Sequence, residues 1–241
     1  MIPNYHISSG FNSKEFNEFC KDKLKPYNHL KNINQPKTSL FSKKNLKIFF
    51  KVHDRVILKP RFLKKGEGIF ILKKKDPIPK LENYLIQEFI DNGFENYYFD
   101  IRVYVQNLNE QIICTYARIS KKIVCNIANN GRVEDCEKLL NLVYPKKNIY
   151  NELLELTKKI ISLLSFKEVG IDYIIDKTGK IYLIELNSSP GILGLYILRN
   201  PDNSKYPSFT INYDDEFKKE KKQILEKIRI NRYEELQKCV V

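Results

Sequence analysis

Residues 169 to 194, VGIDYIIDKTGKIYLIELNSSPGILG, constrain the fold of this chain more than any other stretch. Val169 to Asp176 and Ile181 to Asn187 are two apolar, β-branched runs joined by the polar Lys-Thr-Gly-Lys, which predicts an antiparallel hairpin. If Asp176 pairs with Ile181, then 174 pairs with 183 and 172 with 185, so Asp172 lies opposite Glu185 on one face. Asn187, opposite Gly170, shares that face. Like charges placed directly across a sheet are destabilising unless something positive lies between them, and Gly170 leaves room for it. Two carboxylates and an amide, with neither His nor Cys, suit a hard cation such as Mg²⁺. The bland alternative is a solvated hairpin with acidic decoration, but the flanking Ile, Leu and Val imply burial, and buried carboxylates need partners.

The 241 residues suffice for one large domain or two small ones. No run approaches the roughly 20 apolar residues of a membrane helix, and the opening MIPNYHISSG lacks a signal-peptide pattern, so a cytoplasmic protein without membrane insertion is expected. Five cysteines without a CxxC pair and three scattered histidines support neither a disulfide framework nor a zinc site. The net charge of +13 lies wholly in the first third: residues 1 to 80 hold 19 Lys/Arg against 6 Asp/Glu, and the remainder holds 23 of each. Such a block could attract a polyphosphate, an acidic surface or nucleic acid, or could be a Lys-rich solvated face. Zinc-finger, aromatic RNP and helix-turn-helix patterns are missing, which ranks nucleic acid last.

Residues 1 to 55 contain helix-like SKEFNEFCKDKLKPY and then a loop, KNINQPKTSLFS. Val56 to Leu58 opens a strand that carries Lys59, and RFLKKGEG leads into a second strand, Ile69 to Lys73. A lysine beside a loop with exposed amides can hold phosphates, but GxxxxGK[ST] is absent, and on spacing alone a basic surface hairpin is the better reading of the pattern. Tyr84 to Ile90 is a third strand. Asp100 to Gln106 and Ile112 to Ser120 pair around NLNE and bring Arg102 and Arg118 into one sheet, with the register, and hence their relative facing, left open. Residues 148 to 166 form an amphipathic helix. Residues 215 to 238 form a charged surface helix with Phe217, Ile224, Leu225 and Ile228 on its buried stripe.

In this order, QPKTSLF, VILKP with a Gly-containing loop, LIQEFI, FDIRVYVQ, ARIS with CNIANNG, and VGIDYIIDKTGKIYLIELNSSPGI resemble the ATP-grasp superfamily, and within it the YheC/YheD-type endospore coat-associated proteins. The last stretch is also similar to the glutamate ligases that extend ribosomal-protein tails. The resemblance covers about residues 11 to 194. It implies an α+β fold in which two subdomains with antiparallel sheets enclose a nucleotide cleft. The expected segments are 1–55 leading into the grasp, 56–90 as the small subdomain, 91–213 as the catalytic subdomain, and 214–241 as a C-terminal helix.

The resemblance implies that Lys59, with Lys14 as a second lysine, contacts the ATP phosphates, that Gly66 and Gly68 lie in the loop covering them, and that Gln87, Glu88, Phe89 and Ile90 form the adenine hinge. It casts Arg102, Arg118 and Asn126 against the transferred phosphate and the acidic substrate, and Asp172, Glu185 and Asn187 as ligands of Mg²⁺, with Mn²⁺ as an alternative. The implied activity is ATP-dependent carboxylate–amine ligation through an acylphosphate, acting on a small acidic substrate or acidic peptide. The rival reading is a degenerate ATP-grasp module of a coat or partner assembly that binds nucleotide without turnover. Two departures stand out: RFLKKGEG replaces a run of glycines and serines, and little more than fifty residues precede Lys59 where relatives carry an N-terminal domain, which a protein partner would then supply.

Overall fold

The computed structural model describes residues 11–63, 66–108, 111–123, 125 and 131–238. Two antiparallel sheets organise them, as expected of the α+β class. In the first, β1 (Thr38–Leu40), β2 (Arg55–Pro60), β3 (Phe70–Lys73) and β4 (Tyr84–Glu88) run in the order β1-β4-β2-β3. Helix α3 (Lys43–Phe49), N-capped by Ser42, closes it over a core of Leu46, Phe49, Val56, Leu58, Leu72 and Ile86. The small unit therefore reaches back to Thr38 rather than starting at residue 56. A three-residue strand and a seven-residue helix are too short to show periodicity, so this stretch reads as a loop in sequence.

The second sheet has the order β10-β9-β6-β7-β8: β6 (Tyr97–Asn107), β7 (Gln111–Ser120), β8 (Arg132–Asp135), β9 (Glu168–Ile175) and β10 (Ile181–Asn187), with β5 (Gly93–Phe94) on β6. Strict alternation gives its long strands two unlike faces. Ile101, Val103, Val105, Val169, Ile171 and Tyr173 are fully buried beneath α4 (Cys136–Val143) and α5 (Ile149–Ile161). Helix α5 stops five residues short of the expected end. Helices α1 (Lys14–Lys21) and α2 (Leu24–His29) belong with this sheet, since Phe16, Cys20, Leu30 and Ile33 join its core.

The opposite face is polar, and it is also covered. Tyr104, Cys114 and Tyr116 pack against Leu195 and Leu198 of α6 (Leu193–Leu198) and against Leu225 and Ile228 of α7 (Asp215–Lys238). Between them, β11 (Ser204–Lys205) pairs with β12 (Thr210–Ile211). Gly194 permits the close approach of α6, because a Cβ there would come within 2.4 Å of the Tyr116 ring. None of the helices is long and apolar enough to cross a membrane among the described residues.

Helix α7 has the expected apolar stripe, but it is also a polar latch. Arg232 grips Glu168 with Nε and Nη2 (2.7 and 2.9 Å) and donates to the Pro190 carbonyl at 3.2 Å. Tyr104 and Gln106 donate to the same carboxylate (2.7 and 2.9 Å), and Asn231 donates to Gln106. Removing one partner of a buried ion pair leaves the other uncompensated, so Arg232→Met should lower unfolding stability by about 3–5 kcal/mol. In urea denaturation, Glu168→Gln combined with Arg232→Met should recover much of that loss; equal losses for single and double variants would show that Arg232 acts through packing alone.

Candidate functional site

The polar face of the second sheet brings the sequence-derived site residues together in rows. Across β10, β9, β6 and β7, Glu185 lies opposite Asp172, Asp172 opposite Arg102, and Arg102 opposite Tyr116. The neighbouring row runs Asn187, Gly170, Tyr104, Cys114. On the other side, Asp100 pairs with Arg118. Because Asp100 and Arg102 are two residues apart on one strand, both arginines face the same side, which settles the register left open by the loop.

The hairpin reaches its expected register by two departures that cancel. Asp176 closes a tighter turn than expected: its amide donates to the Lys180 carbonyl, its Oδ1 accepts from the Thr178 amide (2.8 Å) and hydroxyl (2.6 Å), and Gly179 adopts φ 88°. Leu183 thus pairs with Tyr173 rather than with 174. A bulge between Leu183 and Glu185 then restores the missing residue, so Glu185 and Asn187 arrive opposite Asp172 and Gly170 as predicted.

The positive charge demanded by the opposed carboxylates comes from side chains. Arg102 forks onto Asp172, with Nη2 at 2.7 Å from Oδ2 and Nε on Oδ1. Arg118 places Nη2 3.3 Å from the same Oδ1 and Nε 2.5 Å from Asp100. Burial works to raise the Asp172 carboxyl, but Arg102 and then Arg118 outweigh it and hold it below its ordinary value. For Asp100 burial prevails over Arg118, and its pKa rises to about 6. The space expected beside Gly170 is not open, since a Cβ there would meet Pro190 at 2.9 Å and Arg102 Nη1 at 3.0 Å.

Lys59 enters from β2 of the first sheet. It is 3% exposed, and among the described residues its ammonium makes no ion pair within 4 Å. Burial lowers its pKa to about 8, against the raising influence of Glu185 and, more weakly, Asp172. The expected second lysine, Lys14, is exposed in the first turn of α1, and no contact of it with this cluster is found among the described residues. Lys23 stands there instead, its side chain 7% exposed and its Nζ 3.7 Å from Glu185 Oε1. Sequence offers no sign of Lys23, because it sits at the corner between α1 and α2, outside any periodic element. Asp100, by contrast, could have been found by the same alternation that placed Arg102.

The remaining candidates divide. Gly66 and Gly68 both have positive φ (74° and 69°), and a Cβ on Gly68 would meet the Tyr84 hydroxyl at 2.8 Å and Pro60 at 2.9 Å, so Gly68 lies close against the end of β2 and the start of β4. The Gln87 side chain donates to Thr38 at 2.8 Å and serves to hold β1. The Glu88 amide donates to the Lys37 carbonyl at 2.8 Å, on the β1 side of the strand. Phe89 lies under the Arg55 guanidinium, 3.9 Å from its ring centroid, and Ile90 is buried. Asn126 lies outside the described residues.

The oxygen set Asp172, Glu185 and Asn187 fits a hard cation in chemistry and register, and a carboxylate gripped by arginine keeps acceptor capacity. Among the described residues no three His, Cys, Asp or Glu side chains converge to hold an ion. The protein would thus supply two carboxylates and an amide, with phosphate or water oxygens completing the shell, as Mg²⁺ commonly requires.

Residues 76–196, half of the chain, match the model of the YheC/D-like ATP-grasp family, and residues 13–116 match that of the tubulin-tyrosine ligase family. The chain is 33% identical over 145 residues to coenzyme γ-F420-2:α-L-glutamate ligase of Methanocaldococcus jannaschii, covering 58% of this chain and 46% of that protein. It is 31% identical over 179 residues to tetrahydromethanopterin:α-L-glutamate ligase of the same organism, covering 69% and 56%. The chain thus spans about half the length of the curated relatives it matches. Among solved structures, N5-carboxyaminoimidazole synthase from Aspergillus clavatus in complex with ADP and 5-aminoimidazole ribonucleotide superposes with a TM-score of 0.56 at 14% identity, over 75% of this chain and 48% of that one. The family match spans Asp172 and Glu185 as well as both arginines, and the chain belongs to the YheC/D-like ATP-grasp family.

Proposed function

We propose that the protein is an ATP- and Mg²⁺-dependent carboxylate–amine ligase that forms an amide by way of an acylphosphate and releases ADP. The observation that carries this reading is the buried Lys59 of one sheet, without an ion pair among the described residues, facing Glu185 and Asp172 of the other beside two arginines. An unpaired ammonium in a dry site is suited to an incoming phosphate. The glutamate-ligase names of the relatives point to an acidic substrate, a small molecule or an acidic peptide.

In this scheme Lys59 holds the ATP phosphates, and the Gly66–Gly68 turn closes over them. Mg²⁺ bound at Asp172, Glu185 and Asn187 would offset the charge on bridging phosphate oxygens. Arg102 and Arg118 face the transferred group and stabilise the negative charge on its equatorial oxygens. A substrate carboxylate oxygen forms a bond to the γ-phosphorus as the bond to ADP breaks. The acceptor amine then attacks the acyl carbon, phosphate leaves with the C–O electron pair, and the amine proton is released. The protein mainly orients reactants and excludes water.

A specific observation favours the second reading, a nucleotide-binding module without turnover. Both arginines are already occupied by Asp172 and Asp100, so an anionic substrate must take over part of their hydrogen bonding.

Lys59→Met should weaken ADP binding roughly tenfold to a hundredfold, the ~1.5–3 kcal/mol of a charge-assisted contact. Only the cationic form binds phosphate, and the pKa of Lys59 is lowered to about 8. Wild-type affinity should accordingly fall as pH rises through and above that value, while the variant's dependence is flatter. Titration of fluorescent ADP at fixed ionic strength from pH 7 to 9.5 measures both, and equal affinities would remove Lys59 from the site.

Turnover separates ligase from binder. ADP formation should require an acidic cosubstrate, hydroxylamine should trap a hydroxamate, and Arg118→Lys should lower kcat by about a hundredfold while leaving ADP affinity within a few fold. If nucleotide binds but no member of a panel of carboxylates and amines stimulates ADP release, the binding module is the correct reading.

A further inference from the structure

Lys23 reaches the cleft from outside both sheets, and its anchoring is elaborate for a lysine at a helix corner. Asp22 receives Nε and Nη2 of Arg61 at 2.7 and 2.6 Å, and that guanidinium holds its carboxyl below the usual range. The Lys23 amide donates to the Arg61 carbonyl at 3.2 Å, so the α1–α2 corner is stapled to the residue that opens the glycine-containing loop. From there the Lys23 side chain donates to the Leu63 carbonyl and ends 3.7 Å from Glu185 Oε1. Behind it, a cavity of about 10 Å³ lined by Tyr27, Gln35 and Glu185 admits no more than a water-sized group.

Burying a long flexible ammonium costs rotamer entropy and desolvation, which a free surface lysine avoids. Besides the Leu63 carbonyl, the compensating contact is with Glu185, whose ion pair within 4 Å among the described residues is the one with Lys23. The two carboxylates are held differently. Asp172 is forked by Arg102 at hydrogen-bond distance, whereas Glu185 meets Lys23 at 3.7 Å, in ion-pair contact but beyond a hydrogen bond, with its side chain 27% exposed. Glu185 is the carboxylate that can change partner.

We propose that Lys23 is a placeholder cation: it neutralises Glu185 before a divalent ion arrives and, by competing for that carboxylate, sets how tightly the ion is held. This rests on the reading of Asp172, Glu185 and Asn187 as metal ligands. Lys23 is a positioning residue here and makes no contact with reacting atoms. Its bond to the Leu63 carbonyl keeps the displaced ammonium at the mouth of the loop.

Mn²⁺ is the probe, with free ion followed by electron paramagnetic resonance on the full chain, with and without ADP. Lys23→Met should bind Mn²⁺ about fivefold more tightly than wild type, the gain expected from removing one weak ion-pair competitor. Its ion-free melting temperature should fall. In a Glu185→Gln background the same substitution should leave Mn²⁺ affinity unchanged, which separates competition at Glu185 from a general loss of positive charge. If Lys23→Met does not fold, Lys23→Gln removes the charge while retaining a donor for Leu63, and the same gain is expected. Wild-type binding with no gain in either variant, or an equal gain in the Glu185→Gln background, overturns the placeholder role and leaves the metal site standing. No Mn²⁺ binding by wild type, even with ADP, overturns both.

Discussion

Neutralising charge inside one face of a sheet is the constraint on which this structure depends. Glu185, Asp172 and Asp100 stand in adjacent register positions, the last two largely buried and Glu185 partly so, and burial obliges each to find a cation nearby. Arg102 and Arg118 supply it to two of them from neighbouring strands, because the β6–β7 register puts both guanidinium groups on the carboxylate side. A slip of one residue between these strands would carry Arg118 through to the apolar face, among Phe99, Ile101 and Val103. Charge pairing thus fixes strand register here as firmly as hydrophobic burial does on the opposite face.

The same constraint explains the C-terminal helix. One row beyond Asn187 and Gly170, Glu168 lies on the polar face 2% exposed, too deep to be neutralised by water. Arg232 of α7 provides the countercharge, and its further bond to the Pro190 carbonyl ties the helix to the loop that follows Asn187. Pro190 in turn packs over Gly170 beside Arg102. A helix that reads as surface decoration therefore bears, through three contacts, on the orientation of the arginine that grips Asp172.

What sequence made legible is what has a short period. Alternation in FDIRVYVQ and VGIDYII separates the polar from the apolar face, and the hairpin pattern places Asp172 opposite Glu185 and Gly170 opposite Asn187. Features set by individual side chains escaped. The Asp176-capped turn and the bulge before Glu185 each shift register by one, and only their sum is visible from the strand ends. Asn231 and Arg232 look like solvated residues of a charged helix, since nothing local distinguishes an arginine that meets a buried carboxylate from one that meets water. Lys23 escaped for a related reason: its role comes from a corner brought against β10 by the packing of α1 and α2.

The occupied arginines bear on what a substrate must do. Arg118 divides its donors between Asp100 and Asp172, and burial raises the Asp100 pKa to about 6 even with that guanidinium beside it. An incoming anion that draws Arg118 toward itself removes a lowering influence from Asp100, favours its protonation and so reduces the charge left behind. Asp172 shifts the other way, since Arg102 and then Arg118 outweigh burial and hold its carboxyl below the ordinary value. The two carboxylates, alike in sequence, are thus shifted in opposite directions by their surroundings: burial prevails at Asp100, and the paired guanidinium groups prevail at Asp172.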